Sequence, residues 1–360
     1  MRNLKGAVAL ALAATTTLAL SACSSASDVA SGGGGDSAGS AKYSYGSDKD
    51  GVTQVEGVKL SSSLGELKAQ KKYRVAVILK SLTNQYWQGI QKGAQAAGSQ
   101  LGVDITVQAA SSEAAQTEQL TIAQTMVGQK FDAYVVAPES TSNLTPALGQ
   151  MQGQGAPIVN VDDARIAATT YVGPDHSLDG DQAATELSKL FPEGGEVAQI
   201  EGQAGSSAAI LRIKGFKDGV AKDSKLKLVA SVPGDWDADK SYAAAQQIIR
   251  QYPNLKGIYA NNDTMAIGVA KAVQASGKKI AVIGTDGVPE AVAGVRSGSM
   301  TATVSPLPYY EGYWAVESAV RLLEGQQVPQ WVVAPAQLIT KQTVDQFYDP
   351  QGQVLTTLYK

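Results

Sequence analysis

Several polar residues in this 360-residue chain follow directly on apolar, β-branched runs, and their types suit the binding of a small polar ligand. Lys80 follows the run 74–79, Asp162 and Asp163 follow 158–161, Asn262 and Asp263 follow 257–260, and Asp286 follows 280–284. Trp236 lies in the loop after 226–232, and Tyr86 and Trp87 come just after the polar turn 81–84. If these runs are strands of an open parallel sheet, the residues stand beyond the strands' carboxyl ends, where such sheets bind ligands. Carboxylates and carboxamides exchange paired hydrogen bonds with vicinal hydroxyls, and aromatic faces cover the C–H faces of a ring. That combination is the chemistry of a sugar site.

Composition removes most competing chemistries. The chain has 30 basic and 33 acidic residues, a net charge of −3, so no positive excess is available to neutralise phosphates, and a nucleic-acid partner is not expected. A single cysteine excludes a disulfide framework or a cysteine-rich metal site. The single histidine, His176, leaves little for a histidine-based zinc site or a catalytic triad, and it reads as structural. No cofactor or metal is expected. A secreted glycosidase would need two acids flanking the scissile bond at about 5–9.5 Å. Asp162, Asp163 and Asp286 could supply them, but a doubly wound sheet offers no open groove for a polysaccharide.

The elements that must position these residues follow from the pattern. Ten short runs, 74–79, 103–108, 133–137, 158–161, 197–201, 226–232, 257–260, 280–284, 301–304 and 338–340, are nearly continuously apolar. Strands buried on both faces of a parallel sheet read this way. Between the runs lie amphipathic segments with apolar residues at i, i+4, such as Ile90, Ala94, Ala97 and Leu101. Alternation over about 280 residues predicts an α/β fold with parallel sheets. Ten strands exceed one comfortable sheet at this length, so two doubly wound lobes are expected.

The N-terminus is a different kind of sequence. Arg2 and Lys5 precede an uncharged stretch at 6–20, too short to span about 30 Å of hydrocarbon and typical of a secretory signal. Leu20-Ser21-Ala22-Cys23 resembles the lipobox of bacterial lipoproteins, in which the cysteine becomes the lipidated first residue. Residues 23–70, rich in Ser and Gly, read as a flexible tether, with the conformation of 52–67 left open between strand and helix.

The motifs then converge on one family. Leu79-Lys80-Ser81-Leu82-Thr83-Asn84-Gln85-Tyr86-Trp87 resembles the first strand and helix of ribose- and allose-type substrate-binding proteins of ABC transporters. The resemblance continues through Glu201-Gly202-Gln203-Ala204-Gly205, Arg212-Ile213-Lys214-Gly215-Phe216, Gly234-Asp235-Trp236-Asp237, Asn261-Asn262-Asp263-Thr264-Met265-Ala266 and Gly284-Thr285-Asp286-Gly287-Val288-Pro289-Glu290. It spans roughly residues 72–340 in unbroken motif order.

That resemblance implies the type I periplasmic binding fold, two doubly wound lobes joined by a three-crossing hinge. It places the lobes at 71–174 plus 307–333 and at 175–306 plus 334–345, with a C-terminal tail at 346–360. It places sugar contacts on Lys80, Asn84, Tyr86, Trp87 and Asp162 in the first lobe, and on Arg212, Trp236, Asn262 and Asp286 in the second. Of Tyr86 and Trp87, one is expected partly in the core. Asp263 is expected to be structural, as a helix cap, and Asp163 stays open between ligand and cap. Two positions depart from the family pattern: Asp163 stands where ribose binders carry arginine, and Pro306 where many members carry glutamine. Neither ribose nor allose is therefore assumed. The resemblance implies a lipid-anchored, monomeric receptor on the extracytoplasmic face of the membrane. It would pass a monosaccharide to an ABC permease, with a sensory receptor on the same fold as the alternative.

Overall fold

The computed structural model describes residues 46–47 and 51–359. The expected signal segment, Cys23 and residues 24–45 lie outside the described residues. The first elements among the described residues are β1 (Gly46–Ser47), β2 (Thr53–Glu56), a 3-10 turn (Gly57–Lys59) and α1 (Leu60–Leu64). Strands and helices then alternate: β3 (Arg74–Ser81), α2 (Gln85–Leu101), β4 (Asp104–Ala110), α3 (Gln116–Gly128), β5 (Ala133–Val136), α4 (Thr145–Gly153), β6 (Ile158–Val161) and β7 (Thr170–Gly173). After a first crossing the second lobe follows, with α5 (His176–Leu190), β8 (Gly195–Glu201), α6 (Ser207–Lys222), β9 (Leu226–Pro233) and α7 (Ala238–Gln251). It continues through β10 (Leu255–Ala260), α8 (Asp263–Ser276), β11 (Ala281–Thr285), α9 (Pro289–Ser297) and β12 (Ala302–Ser305). The chain crosses back for α10 (Pro308–Leu323) and β13 (Trp331–Val333), then returns for β14 (Gln337–Thr340) and α11 (Val344–Phe347).

Two sheets result. The first has the order β1-β2-β13-β7-β6-β5-β3-β4 and the second β14-β12-β11-β10-β8-β9. The pairings are parallel except β1 with β2 and β12 with β14. β5 and β6 are buried along their whole length, which explains their unbroken apolar sequence. All ten runs identified in the sequence contain strands; β7 and β13, which flank two of the crossings, were not identified.

Helices begin at the cleft with side-chain caps. Asn84 caps α2, Asp175 caps α5, Ser206 caps α6, Asp237 caps α7 and Asn262 caps α8, each accepting a backbone N–H of the first turn. The pair α5 and α6 packs backbone to backbone. A Cβ on Gly180 would sit 2.2 Å from the Arg212 carbonyl, and one on Gly215 would sit 2.0 Å from the Ser177 carbonyl. Only glycine allows this approach, which brings the start of α5 and the first turns of α6 together at the cleft.

Both terminal segments are more ordered than the sequence suggested. The tether expected to reach Gln70 joins the fold from Thr53 onward. β2 pairs in parallel with β13, and Leu60 of α1 is fully buried against the first lobe. The stretch left open between strand and helix contains one of each. At the other end, Asp345 pairs with Arg296 of α9, and the Tyr348 hydroxyl lies 2.6 Å from Ser305 Oγ at the second crossing. The Tyr310 hydroxyl on α10 donates to the Leu355 carbonyl, and the Tyr359 ring packs on Tyr310. The segment after α11 therefore runs from the second lobe onto the first.

Candidate functional site

Strand ends from both sheets meet in one cleft. Its lining is Lys80, Asn84, Tyr86, Trp87, Glu113, Asp162 and Asp163 from the first lobe, with Ala208, Arg212, Trp236, Asn262 and Asp286 from the second. The space left between these side chains is small, about 20 Å³. It opens on a wider mouth bordered by Thr83, Ser112, Gln203 and Asp237. All nine residues expected to contact a sugar are brought together here.

In the first-lobe wall, the chain places Lys80 at the end of β3, buried, where its ammonium ion-pairs with Asp163 and lies 5.6 Å from the centre of the Trp87 ring. Burial lowers the Lys80 pKa, and Glu113, Asp162 and Glu139 pull it back up. Asn84 is used at both ends of its amide. Oδ1 accepts from the Tyr86 N–H at 2.9 Å as the α2 cap, and Nδ2 donates to Glu113 at 2.7 Å. Tyr86 and Trp87 both belong to the core and both reach the cleft, where their rings meet edge to face at 5.0 Å. The Tyr86 hydroxyl donates to Glu311 on α10 at 2.5 Å, and burial pushes both groups well above their ordinary pKa ranges. Asp162 follows β6 directly, and its Oδ1 is buried without a hydrogen bond, 3.5 Å from His176 Nε2.

In the second-lobe wall, Arg212 is held from several sides. Its Nε donates to Asp179 of α5 at 3.0 Å, and Nη1 donates to the Asn261 carbonyl at 3.0 Å and to Asp286 Oδ1 at 3.4 Å. Burial works against its charge, but Asp179 and Asp286 outweigh that and raise its pKa. Asp286 is pushed well above the usual aspartate range by burial, against the pull of Arg212. Trp236 lies over Gly202, where a Cβ would come within 2.0 Å of the indole. Asn262 caps α8 through Oδ1, which accepts the Met265 N–H at 2.9 Å.

Three expectations change in detail. The cap of α8 is Asn262, not Asp263. Asp263 instead holds the turn after β11, accepting from the N–H groups of Gly287 (2.7 Å) and Val288 (3.0 Å) and from the Thr303 hydroxyl (2.8 Å). Pro306 lies in the second crossing, before the α10 cap, and does not line the cleft. Glu113, absent from the sequence-derived set, is a lining residue; it stands beyond the end of β4, the same strand-end signal that found the others. His176 sits at the start of α5, its ring nitrogens 3.2 Å from Asp179 and 3.5 Å from Asp162. Among the described residues no cluster of histidine, cysteine and carboxylates could hold a metal ion.

Backbone strain marks the same region. Among the described residues seven non-glycine positions have positive φ; Asp162, Asp163, Asp235, Trp236, Asp286 and Leu307 lie at the cleft or the second crossing, and Lys130 lies elsewhere. Such conformations persist where surrounding structure over-determines them, and they concentrate at functional sites.

Comparison with known proteins agrees with this architecture. Residues 75–327 match the periplasmic binding protein domain. The D-allose-binding periplasmic protein of Escherichia coli is 38% identical over 245 residues, 65% of this chain and 79% of that one. The ribose import binding protein of Bacillus subtilis is 28% identical over 274 residues, covering 76% and 88%. Among solved structures, an ABC transporter periplasmic solute-binding protein from Actinobacillus succinogenes with bound D-allose superposes with a TM-score of 0.73 at 29% identity, covering 77% of this chain and all of that one. A solute-binding protein from Agrobacterium vitis with bound D-fucose gives 0.71 at 28% identity, covering 78% and 99%.

Proposed function

Because the chain belongs to the periplasmic binding protein family, we propose that it is the substrate-binding component of an ABC sugar importer and captures a neutral pentose or hexose between its lobes. One observation carries the reading. Asp162 of the first lobe and Arg212, Asn262 and Asp286 of the second come together in a single cleft that also receives Trp87 and Trp236 from opposite lobes. Hydrogen-bonding groups with aromatic faces suit a ring bearing hydroxyls on its edge and C–H groups on its faces.

Charge supports a neutral ligand. The lining carboxyl groups Glu113, Asp162, Asp163 and Asp286 outnumber the cations Lys80 and Arg212, and both cations already have carboxylate partners. A sugar acid or sugar phosphate would meet no unpaired cation there. A hydrolase reading also weakens, because Asp163, one of the three aspartates it would draw on, is engaged by protein donors.

The reading extends to the N-terminus. Cys23 becomes the lipidated first residue, the tether keeps the monomeric receptor at the extracytoplasmic face, and the closed receptor delivers its sugar to the permease. Mass spectrometry of the membrane fraction is expected to show a diacylated N-terminal Cys23; an unmodified thiol would contradict it.

A thermal-shift screen against pentoses, hexoses, deoxysugars, cyclitols and uronic acids tests the binding claim. At about 100 times its dissociation constant, a ligand adds about 2.7 kcal/mol to stability. At roughly 2–4 °C per kcal/mol the expected shift is several degrees for at least one neutral sugar. A shift with uronic acids alone would contradict the charge argument, and no shift at all would contradict the assignment.

A further inference from the structure

Asp163 belongs to the first lobe, in the turn after β6, yet two of its three hydrogen-bond donors lie in the second lobe. Its Oδ1 accepts the backbone N–H of Ala208 at 2.9 Å, and Ser206 Oγ lies 3.2 and 3.3 Å from its two oxygens. Ala208 is the second residue of α6, so its N–H is one of the four at a helix start that no helical carbonyl can accept. A carboxylate at that end also meets the positive pole of the helix. From its own lobe, Lys80 pairs with Oδ2. The residue is 4% exposed, so these bonds are shielded from water.

The neighbouring aspartate is the contrast. Neither oxygen of Asp162 accepts a hydrogen bond from a described residue, Oδ1 having only His176 Nε2 at 3.5 Å, whereas both oxygens of Asp163 are occupied by protein. The two residues are consecutive and both adopt left-handed backbone, φ 50° and 34°. They divide the work: one carboxylate is left for the cleft, the other is spent on the opposite lobe.

We infer that Asp163 is an interlobe latch, a positioning residue that lines the cleft but spends both carboxylate oxygens on protein, capping α6 across the cleft and stabilising lobe closure. The inference rests on the sugar-receptor reading above for its ligand arm only. The Asp163 bonds to Ser206 and Ala208 exist only while the lobes are shut, so they favour the closed state by the same amount whatever ligand is inside. Weakening them lowers the apparent affinity for every ligand by one common factor, because the closed, competent state is less populated.

The test compares wild type with Asp163→Asn, which keeps size and removes charge, and with Ser206→Ala, which removes one donor and leaves Lys80 paired. Calorimetry with D-allose, D-ribose and D-galactose reads affinity, and small-angle scattering reads the radius of gyration with and without sugar. Asp163→Asn is expected to weaken each sugar that wild type binds by about tenfold, keeping their ratios within about twofold. Ser206→Ala is expected to do the same to a smaller extent. The ligand-free radius should be larger in both variants than in wild type, and the saturated radii should be equal. A loss confined to one sugar would make Asp163 a ligand contact and overturn the latch, as would unchanged ligand-free radii. If wild type binds no sugar tested, the sugar-receptor reading fails, while the ligand-free scattering still decides the latch.

Discussion

The first-lobe wall of the cleft spends most of its polar atoms on protein, whereas the second-lobe wall is braced from behind and keeps polar atoms for the cleft. On the first wall Lys80 pairs with Asp163, both ends of the Asn84 amide are bonded, and the Tyr86 hydroxyl is held by Glu311. On the second, Asp179 behind Arg212 fixes the guanidinium, which in turn fixes Asp286 through one oxygen. Among the described residues, Arg212 Nη2, Asp286 Oδ2 and Asn262 Nδ2 have no hydrogen-bond partner in the protein. In the sugar-receptor reading proposed above, the first wall sets shape and closure and the second supplies most of the hydroxyl recognition.

Removing the brace should have the largest effect. Arg212→Met leaves Asp179, fully buried, without its cation. Breaking a buried pair on one side costs about 3–5 kcal/mol, so urea unfolding should show a loss of that order. A loss below about 1 kcal/mol would mean that the second wall is not held from behind.

Asp286→Asn probes recognition with less disruption. Arg212 Nη1 donates to Oδ1, which orients a replacement amide with its oxygen toward Arg212 and its NH₂ toward the cleft. An acceptor for sugar hydroxyls becomes a donor. Affinity is expected to fall at least tenfold, about 1.4 kcal/mol, with folding intact. Calorimetry showing parental affinity would remove Asp286 from the site.

The aromatic cover comes next. Trp236 contributes ring area and no obligatory hydrogen bond, so Trp236→Ala should weaken binding by about 1 kcal/mol, roughly fivefold, and Trp236→Phe by less. Equal losses in the two variants would point to a role for the indole N–H instead.

The smallest expected effect lies behind the first wall. Glu139 is buried with neither carboxyl oxygen hydrogen-bonded, and burial pushes its pKa up to about 7, against the pull of Lys80. The folded state therefore holds this proton more tightly than the unfolded chain does. The stability it contributes is complete below the ordinary glutamate range and is lost as pH rises through about 7. Glu139→Gln should melt a degree or more above wild type at pH 8 and close to it at pH 4. A difference that does not change with pH would contradict the assignment.

Much of this was legible in the sequence, and the gaps have physical causes. The central strands were readable because burial on both faces leaves an unbroken apolar run, as in β5 and β6. β7 reads Thr-Tyr-Val-Gly, with a polar residue at one end and glycine at the other, and β13 has only three residues, so neither forms an unbroken apolar run beside the polar crossings they serve. The strand-end rule found Lys80, Asp162, Asn262 and Asp286 directly. Glu113 was missed because the run read at 103–108 stops short of the observed end of β4, at Ala110. The exchange of roles between Asn262 and Asp263 reflects a one-residue choice of cap between two side chains that can both serve. Asp163 was left open for a deeper reason. Its partners Ser206 and Ala208 lie more than forty residues away in the other lobe, and no local pattern encodes a contact formed by closure.

Hydrogen exchange followed by mass spectrometry, with and without the tightest-binding neutral sugar from the screen, tests the central claim most directly. Protection is expected in both lobes at once, over the segments carrying Lys80–Trp87, Glu113 and Asp162 and those carrying Arg212, Trp236, Asn262 and Asp286. Protection confined to one lobe, or lying away from these strand ends, would contradict a sugar held between the two walls.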